Sequence, residues 1–129
     1  MPETMPIPED RPLTTAEESL VRWLLEHGTR QVTAYLPQLG QARVMSRCYC
    51  GCASINFAIG GVIPAAGEAI DILADYEWQA DDGPLFGVFV FARVGLLAGL
   101  EVWSVDGLAP AVSLPEIRQL RPLGASQNV

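Results

Sequence analysis

The sequence contains no lysine, so its eight basic residues are all arginine, and they are outnumbered by 15 acids for a net charge of −7. Proteins that bind nucleic acid need a basic surface to neutralise phosphates, so this balance argues against that class. Six of the acids fall between residues 68 and 82, where no base occurs, and the other nine nearly balance the arginines. The negative charge is therefore local.

The sequence also shows no long apolar run, and we expect no signal peptide. The most apolar stretch, residues 85–100, is interrupted by Arg93 and three glycines, and it falls short of the roughly 20 uninterrupted apolar residues of a membrane span. Residues 1–10 hold three acids and no base, so they lack the cationic start of a signal peptide. We therefore expect a cytoplasmic protein that does not cross a membrane.

The chain nevertheless has the size and composition of one folded domain, with 129 residues of which half are apolar. Four prolines within the first 12 residues disfavour regular pairing and predict a flexible arm over 1–12. The ordered domain is then expected over 13–123, followed by a frayed tail over 124–129.

Helical signals precede strand signals along the chain. A helix is predicted over 15–27, because Thr14–Glu17 or Thr15–Glu18 can form a capping box and apolar residues recur at helical spacing. Gly28 then favours an end to the helix. A second short helix is expected over 29–36.

From residue 42 onward, apolar residues alternate as in strands. The candidate strands are 42–50, 54–59, 68–79, 85–93 and 97–105. Short connections favour an antiparallel meander, and a capping pattern at Ser113–Glu116 predicts a short C-terminal helix. The predicted fold is α+β, with an N-terminal helix or helix pair packed on one face of a four- to five-stranded, mainly antiparallel sheet.

Three cysteines, Cys48, Cys50 and Cys52, stand within five positions and are too few for a disulfide framework. As thiolates they could bind zinc or copper(I), although structural zinc takes four ligands and His27 is the only other soft ligand. Redox or nucleophilic chemistry is an alternative, and a Cys–His pair would also need His27. The simplest alternative needs no cofactor: small thiols buried in a strand, where an i, i+2 disulfide would be strained.

Acids and aromatic residues are expected to share the sheet face that the helix does not cover. Aromatic anchors in charged surroundings are typical of a binding surface. The residues predicted to form this surface are Asp71, Asp75, Glu77, Phe89, Glu101 and Trp103. The alternative is a solvated strand face whose acids pair with Arg43 and Arg47.

This surface predicts a non-enzymatic domain that binds a protein partner, with a basic partner or a second copy of the chain as candidates. Grouped carboxylates could also hold a divalent cation or act as an acid/base pair. No catalytic motif accompanies them, so we expect no enzyme, and a thiol-based metal or redox site at the cysteines remains the alternative function.

Three segments resemble a group of small bacterial proteins that share a domain of unknown function: W-L-L-E-H-G at 23–28, R-C-Y-C-G-C at 47–52 and L-E-V-W-S at 100–104. The resemblance covers residues 13–123 and implies a bacterial cytosolic domain. Size, acidity and layout are also similar to those of toxin-immunity proteins, which at the level of fold implies a protein partner.

Overall fold

Strands dominate the computed structural model, which describes residues 6–28, 32–65 and 69–122. One helix of three turns precedes most of the sheet. The elements are β1 Ile7–Pro12, α1 Thr15–Glu26, a 3-10 turn Val32–Tyr35, α2 Leu36–Leu39, β2 Ala42–Arg47, β3 Ile55–Ile59, β4 Asp71–Gln79, β5 Leu85–Arg93, β6 Leu96–Ser104, a second 3-10 turn Ile117–Gln119 and β7 Arg121–Pro122.

All strand pairs are antiparallel, in the order β1-β2-β3-β6-β5-β4-β7. The prediction of four to five strands with an N-terminal helix pair is therefore wrong, although the fold is α+β. The consecutive-strand meander also fails at one point, because β3 pairs with β6 and not with β4. Two three-stranded meanders are thus joined through β3 and β6, and β7 adds a seventh strand beside β4.

Both ends of the described chain add strands that the sequence did not predict. Part of the predicted arm, Ile7–Pro12, forms an edge strand on β2, a position that tolerates proline because one side of an edge strand needs no ladder hydrogen bonds. In place of a C-terminal helix, the chain makes the 3-10 turn and the two-residue strand β7 against β4. The predicted tail over 124–129 lies outside the described residues.

Helix α1 begins as predicted, at the first of the two capping boxes. The Thr14 hydroxyl accepts the Glu17 N–H at 3.1 Å, and the Glu17 carboxylate accepts the Thr14 N–H at 2.8 Å. Arg11 of β1 donates to both Glu17 carboxylate oxygens, at 2.9 and 3.0 Å. Desolvation alone would raise the pKa of Glu17, but the hydrogen bonds from Arg11 and Thr14 outweigh it and lower the pKa. The cap therefore ties the helix to the edge strand.

The apolar stripe of α1 covers one face of the sheet. Its side chains Leu20, Val21, Leu24 and Leu25 are all buried. The sheet contributes alternate residues to the same core: Phe57, Val88, Val90, Leu100 and Val102. Each such side chain is worth roughly 1.5–3 kcal/mol when it leaves water, so this face is fully occupied by the core.

A two-residue turn, Val94–Gly95, joins β5 to β6 and has positive φ at both positions, +50° and +78°. Hairpin turns of this hand favour Asn-Gly, because β-branched residues rarely adopt positive φ. Val94 is 73% exposed, so packing does not compensate for the strain.

We expect Val94→Asn to raise the free energy of unfolding by about 1 kcal/mol, since it removes the penalty of a β-branched residue at positive φ. Urea denaturation measures the change. Val112→Asn is the control, because Val112 is similarly exposed but has ordinary φ. Equal effects at both positions would contradict the explanation by turn strain.

Candidate functional site

The three cysteines lie in the loop that joins β2 to β3, not in a strand. Strand β2 ends at Arg47, three residues earlier than predicted. Cys48 and Cys52 are half-buried and Cys50 is exposed, so the alternative prediction that the three thiols are buried within a strand is wrong. The loop is anchored by the Cys48 N–H donating to the Ser54 carbonyl at 3.3 Å.

The loop places the sulfur atoms of its three cysteines close together. All three Sγ atoms lie within 4.8 Å of one another, which is close enough to bind a metal ion. Cys48 and Cys50 are joined by a disulfide and Cys52 carries a free thiol. The Cys50 N–H donates to Cys48 Sγ and the Cys52 N–H to Cys50 Sγ, both at 3.4 Å. Two backbone donors of the loop therefore point at its sulfur atoms.

His27 does not join this cluster. It follows α1, where its Nδ1 lies 2.8 Å from the Trp23 carbonyl oxygen and its ring stacks on the Trp23 indole. Tyr76 of β4 donates its hydroxyl to the His27 carbonyl at 2.8 Å. His27 therefore lies next to β4, whereas the cysteine loop adjoins β3. Three strand spacings, roughly 14 Å, separate these two strands, so the structure does not support a Cys–His pair.

The sheet face opposite α1 brings most of the predicted binding residues together. Phe89 of β5 lies opposite Asp75 on one side and Glu101 on the other. In the next row, Gly87 lies between Glu77 and Trp103, and the Trp103 indole lies over the Gly87 backbone. The face therefore carries two rows of three residues across β4, β5 and β6. One row is Asp75, Phe89 and Glu101, and the other is Glu77, Gly87 and Trp103.

Asp71 is the predicted residue that the structure separates from the others. A β-bulge between Ile72 and Ala74 shifts the alternation of β4. Asp71 pairs with Ala92, whose side chain belongs to the core on the α1 side. One extra residue in a strand reverses the direction of every side chain beyond it, so Asp71 and Asp75 do not share a face.

The acids of this face are partly removed from water. Desolvation raises the pKa of Asp75, whose Oδ1 atom is buried and has no hydrogen-bond partner among the described residues. Desolvation also raises the pKa of Glu101, and the Ser54 hydroxyl partly offsets this. Glu77 is only 3% exposed and accepts the Arg121 Nε–H at 3.0 Å. Trp103 Nε1 is likewise buried, and no acceptor for it lies in the part of the chain that the structure describes.

The alternative of a solvated face paired with β2 arginines is therefore wrong. Arg43 binds Asp10 at 2.9 Å and Arg47 binds Glu9 at 3.0 Å, so both pair with the edge strand β1. Arg121 was missed as the partner of Glu77. Its only signal in the sequence was a basic residue next to proline near the chain end, which is too common to be informative.

We expect Asp75→Asn to stabilise the protein at pH 7 and to change it little at pH 3. Because the folded-state pKa of Asp75 is raised, its contribution to stability is fully present below the unfolded pKa of about 3.9 and is lost as pH rises through the folded pKa. Urea midpoints across this range measure the effect. Asp82→Asn, in the exposed turn after β4, should leave the pH profile unchanged, and an identical profile for both variants would contradict the burial effect.

One cavity lies beside the cysteine loop, and a second cavity shares Pro6 and Asn56 with it. The first, of about 190 Å³, is lined by Pro6, Cys48, Tyr49, Ser54, Asn56 and Glu101. The second, of about 210 Å³, reaches Arg93. Sequence reasoning did not single out Ser54 and Asn56. Their polar side chains at alternate positions with Ile55 between them were the available signal.

No known protein family, curated protein or solved structure matches the chain. None of the helices in the described ranges is long and apolar enough to cross a membrane. Three features thus carry the functional argument: the cysteine loop, the cavity beside it and the sheet face with its two rows of acids.

Proposed function

We propose that Cys48, Cys50 and Cys52, once reduced, bind one thiophilic metal ion, with zinc as the leading candidate. The observation that carries the proposal is the clustering of the three Sγ atoms within 4.8 Å of one another. Sulfurs around tetrahedral zinc stand about 3.8 Å apart at a Zn–S distance of about 2.3 Å. Small side-chain rotations within one short loop therefore suffice to reach binding geometry.

The backbone supports the same proposal. Two amides of the loop donate to sulfur, and such second-shell donors orient thiolates and moderate their charge. Gly51, between the second and third cysteine, has φ of +86°, which lets the chain turn back on itself. Within the described residues, no histidine, carboxylate or further cysteine joins the cluster as a fourth ligand. Zinc would take water as its fourth ligand, whereas copper(I) would be satisfied by three thiolates.

The test is titration of the fully reduced protein with cobalt(II), followed by displacement with zinc. We expect one equivalent of cobalt per chain and sulfur-to-cobalt charge-transfer absorption that zinc abolishes. Replacing Cys52 by serine should weaken binding by more than about 100-fold, because even outer-shell partners of a ligand are worth 10–100-fold.

His27→Asn is the matched control, since it removes the only histidine and leaves the sulfurs in place. Its affinity for zinc should equal that of the unaltered protein. Zinc binding that survives in Cys52→Ser, or that falls in His27→Asn, would contradict the proposed ligand set. Tight binding of copper(I) with weak binding of zinc would assign the loop to copper.

A second function, protein binding at the sheet face, is favoured by Asp75 Oδ1 and Trp103 Nε1, two buried polar atoms that have no partner within residues 6–28, 32–65 and 69–122. Buried polar atoms without partners are rare in folded proteins and call for an explanation. We propose that a basic peptide supplies both partners, with an arginine guanidinium donating to the Asp75 and Glu101 carboxylates over the Phe89 ring and a peptide carbonyl oxygen accepting from the Trp103 Nε1–H. The two carboxylates would then recover the interactions that desolvation removes.

Calorimetric titration with an arginine-rich peptide tests this second function. We expect affinity to fall with added salt, to rise with pH as Asp75 ionises, and to drop about tenfold or more in Asp75→Asn/Trp103→Ala. Unchanged affinity in the double variant would reject the surface. A second copy of the chain could occupy this face instead of a peptide, and sedimentation of the free protein tests this. A dimer that becomes monomeric in the double variant would assign the face to a second copy of the chain.

A further inference from the structure

One cavity brings a cysteine of the loop together with a carboxyl group. Cys48 and Glu101 both line the space of about 190 Å³ next to β3 and β6. They are 53 positions apart in the sequence, and the pairing of β3 with β6 brings them to one place. Since one water takes about 30 Å³ of liquid volume, the cavity admits a small molecule as well as water.

We propose that this cavity is a site of thiol–disulfide exchange, in which a small thiol reduces the Cys48–Cys50 disulfide and Glu101 accepts the proton of that thiol. The reaction needs no metal and is separate from metal binding by the reduced loop. It gives Glu101 a role that the sequence did not suggest, because the sequence placed this residue on a partner-binding surface.

The first step forms a mixed disulfide. Glu101 takes the proton of the small thiol, directly or through one water, and the resulting thiolate attacks Cys48 Sγ. A new S–S bond forms at Cys48 while the Cys48–Cys50 bond breaks, and Cys50 leaves as a thiolate. The Cys52 N–H, which lies 3.4 Å from Cys50 Sγ, stabilises this leaving group.

The second step returns the small product. Another thiol molecule attacks the ligand sulfur of the mixed disulfide and displaces Cys48 as a thiolate. The two protons that the two small thiols lose, one of them held by Glu101, protonate Cys48 and Cys50. The net reaction converts one protein disulfide and two small thiols into two cysteine thiols and one small disulfide, so atoms and electrons balance.

The surroundings of Glu101 suit proton transfer to and from sulfur. The side chain is half-buried, and desolvation raises its pKa toward that of a thiol, which makes its carboxylate a stronger base. Cys48, Tyr49 and Ser54 line the same cavity, the Ser54 hydroxyl hydrogen-bonds to Glu101, and Asp75 lies beyond Phe89 on the same sheet face. No arginine of the described chain lines this cavity to hold the carboxylate in an ion pair.

The test is the rate at which excess 2-mercaptoethanol reduces the oxidised protein, compared with Glu101→Gln between pH 5 and 9. We expect the variant to react at least about tenfold more slowly below the pKa of the small thiol, since a general base typically contributes 10²–10⁴-fold. The difference should shrink as the thiol ionises by itself. A phosphine reductant has no proton to give up, so it should reduce both proteins at the same rate.

Asp82→Asn serves as the control for charge, because it removes one carboxylate from an exposed turn outside the cavity. It should react like the unaltered protein with both reductants. A Glu101→Gln rate equal to the unaltered rate at every pH would overturn the proposal. Equal slowing with the phosphine would also overturn it, because the effect would then concern access to the disulfide and not proton transfer.

Two further readouts separate this proposal from metal binding. Peptide mapping of the oxidised protein must find the Cys48–Cys50 disulfide, and any other pairing would overturn the exchange proposal. The zinc affinity of reduced Glu101→Gln should remain within about threefold of the unaltered value, since Glu101 is outside the three-sulfur cluster. Slow exchange with normal zinc affinity supports the proposal even if zinc binding proves weak in both proteins.

Discussion

Replacing Arg121 by alanine should destabilise the protein by about 2–4 kcal/mol, measured as the free energy of unfolding in urea. Its partner Glu77 is 3% exposed, and the Arg121 Nε–H donates to it at 3.0 Å across the β4–β7 pair. Breaking a buried ion pair by removing one member typically costs 3–5 kcal/mol, because the charge that stays behind is poorly reached by water and has lost one of its interactions. We lower this range because the Arg121 side chain is 38% exposed and water can partly replace it.

The double variant Glu77→Gln/Arg121→Ala should recover part of the loss, because the buried negative charge is removed together with its Arg121 partner. Arg118→Ala is the matched control: this arginine also binds a carboxylate at 3.0 Å, but both partners are largely exposed. Its removal should cost close to nothing. Equal losses for Arg118→Ala and Arg121→Ala would show that burial of Glu77 is not the cause.

Gly99→Ala should cost about 3 kcal/mol, because the added methyl group has no space. A Cβ at this position of β6 would lie 2.7 Å from the Ile55 carbonyl oxygen and 2.8 Å from the Phe91 ring. The carbonyl belongs to the β3–β6 ladder and cannot move without loss of pairing, so the upper part of the 1–3 kcal/mol range for overpacking applies.

Gly40→Ala is the control for this second prediction. Its φ is −66° and the nearest atom to an added Cβ is 3.7 Å away, so the substitution should be neutral or slightly stabilising. Urea denaturation of both variants measures the difference. A loss below about 1 kcal/mol for Gly99→Ala would mean that β3 and β6 pair less tightly than the register implies. Such a result would also weaken the link between Cys48 and Glu101.

Local signals predicted α1 and β5 well. The capping box at Thr14–Glu17 and the helical spacing of the apolar residues lie within a few positions of each other, so α1 is set by short-range interactions. Strand β5 runs over the predicted residues Leu85–Arg93, because a turn signal precedes it and the Val94–Gly95 turn ends it. Neither element needs a distant partner to define its limits.

The edge strands could not be predicted in the same way. Prolines in residues 7–12 disfavour a strand in general, and only an edge position next to β2 makes them acceptable. Strand β7 has two residues, too few for any alternation, and exists because Tyr76 and Glu77 offer it a free edge of β4. The bulge that separates Asp71 from Asp75 also leaves no periodic signal in the sequence.

The sequence by itself determined the local acidity, the capped helix, the alternation that puts Phe89, Glu101 and Trp103 on one face, and the short spacing that gathers three sulfurs. Only the tertiary structure decided that β3 pairs with β6, and therefore that Cys48 meets Glu101 in one cavity. The physical reason is range. Caps and alternation act between residues that are neighbours in the chain, whereas the partner of a strand depends on burial of the whole sheet face against α1.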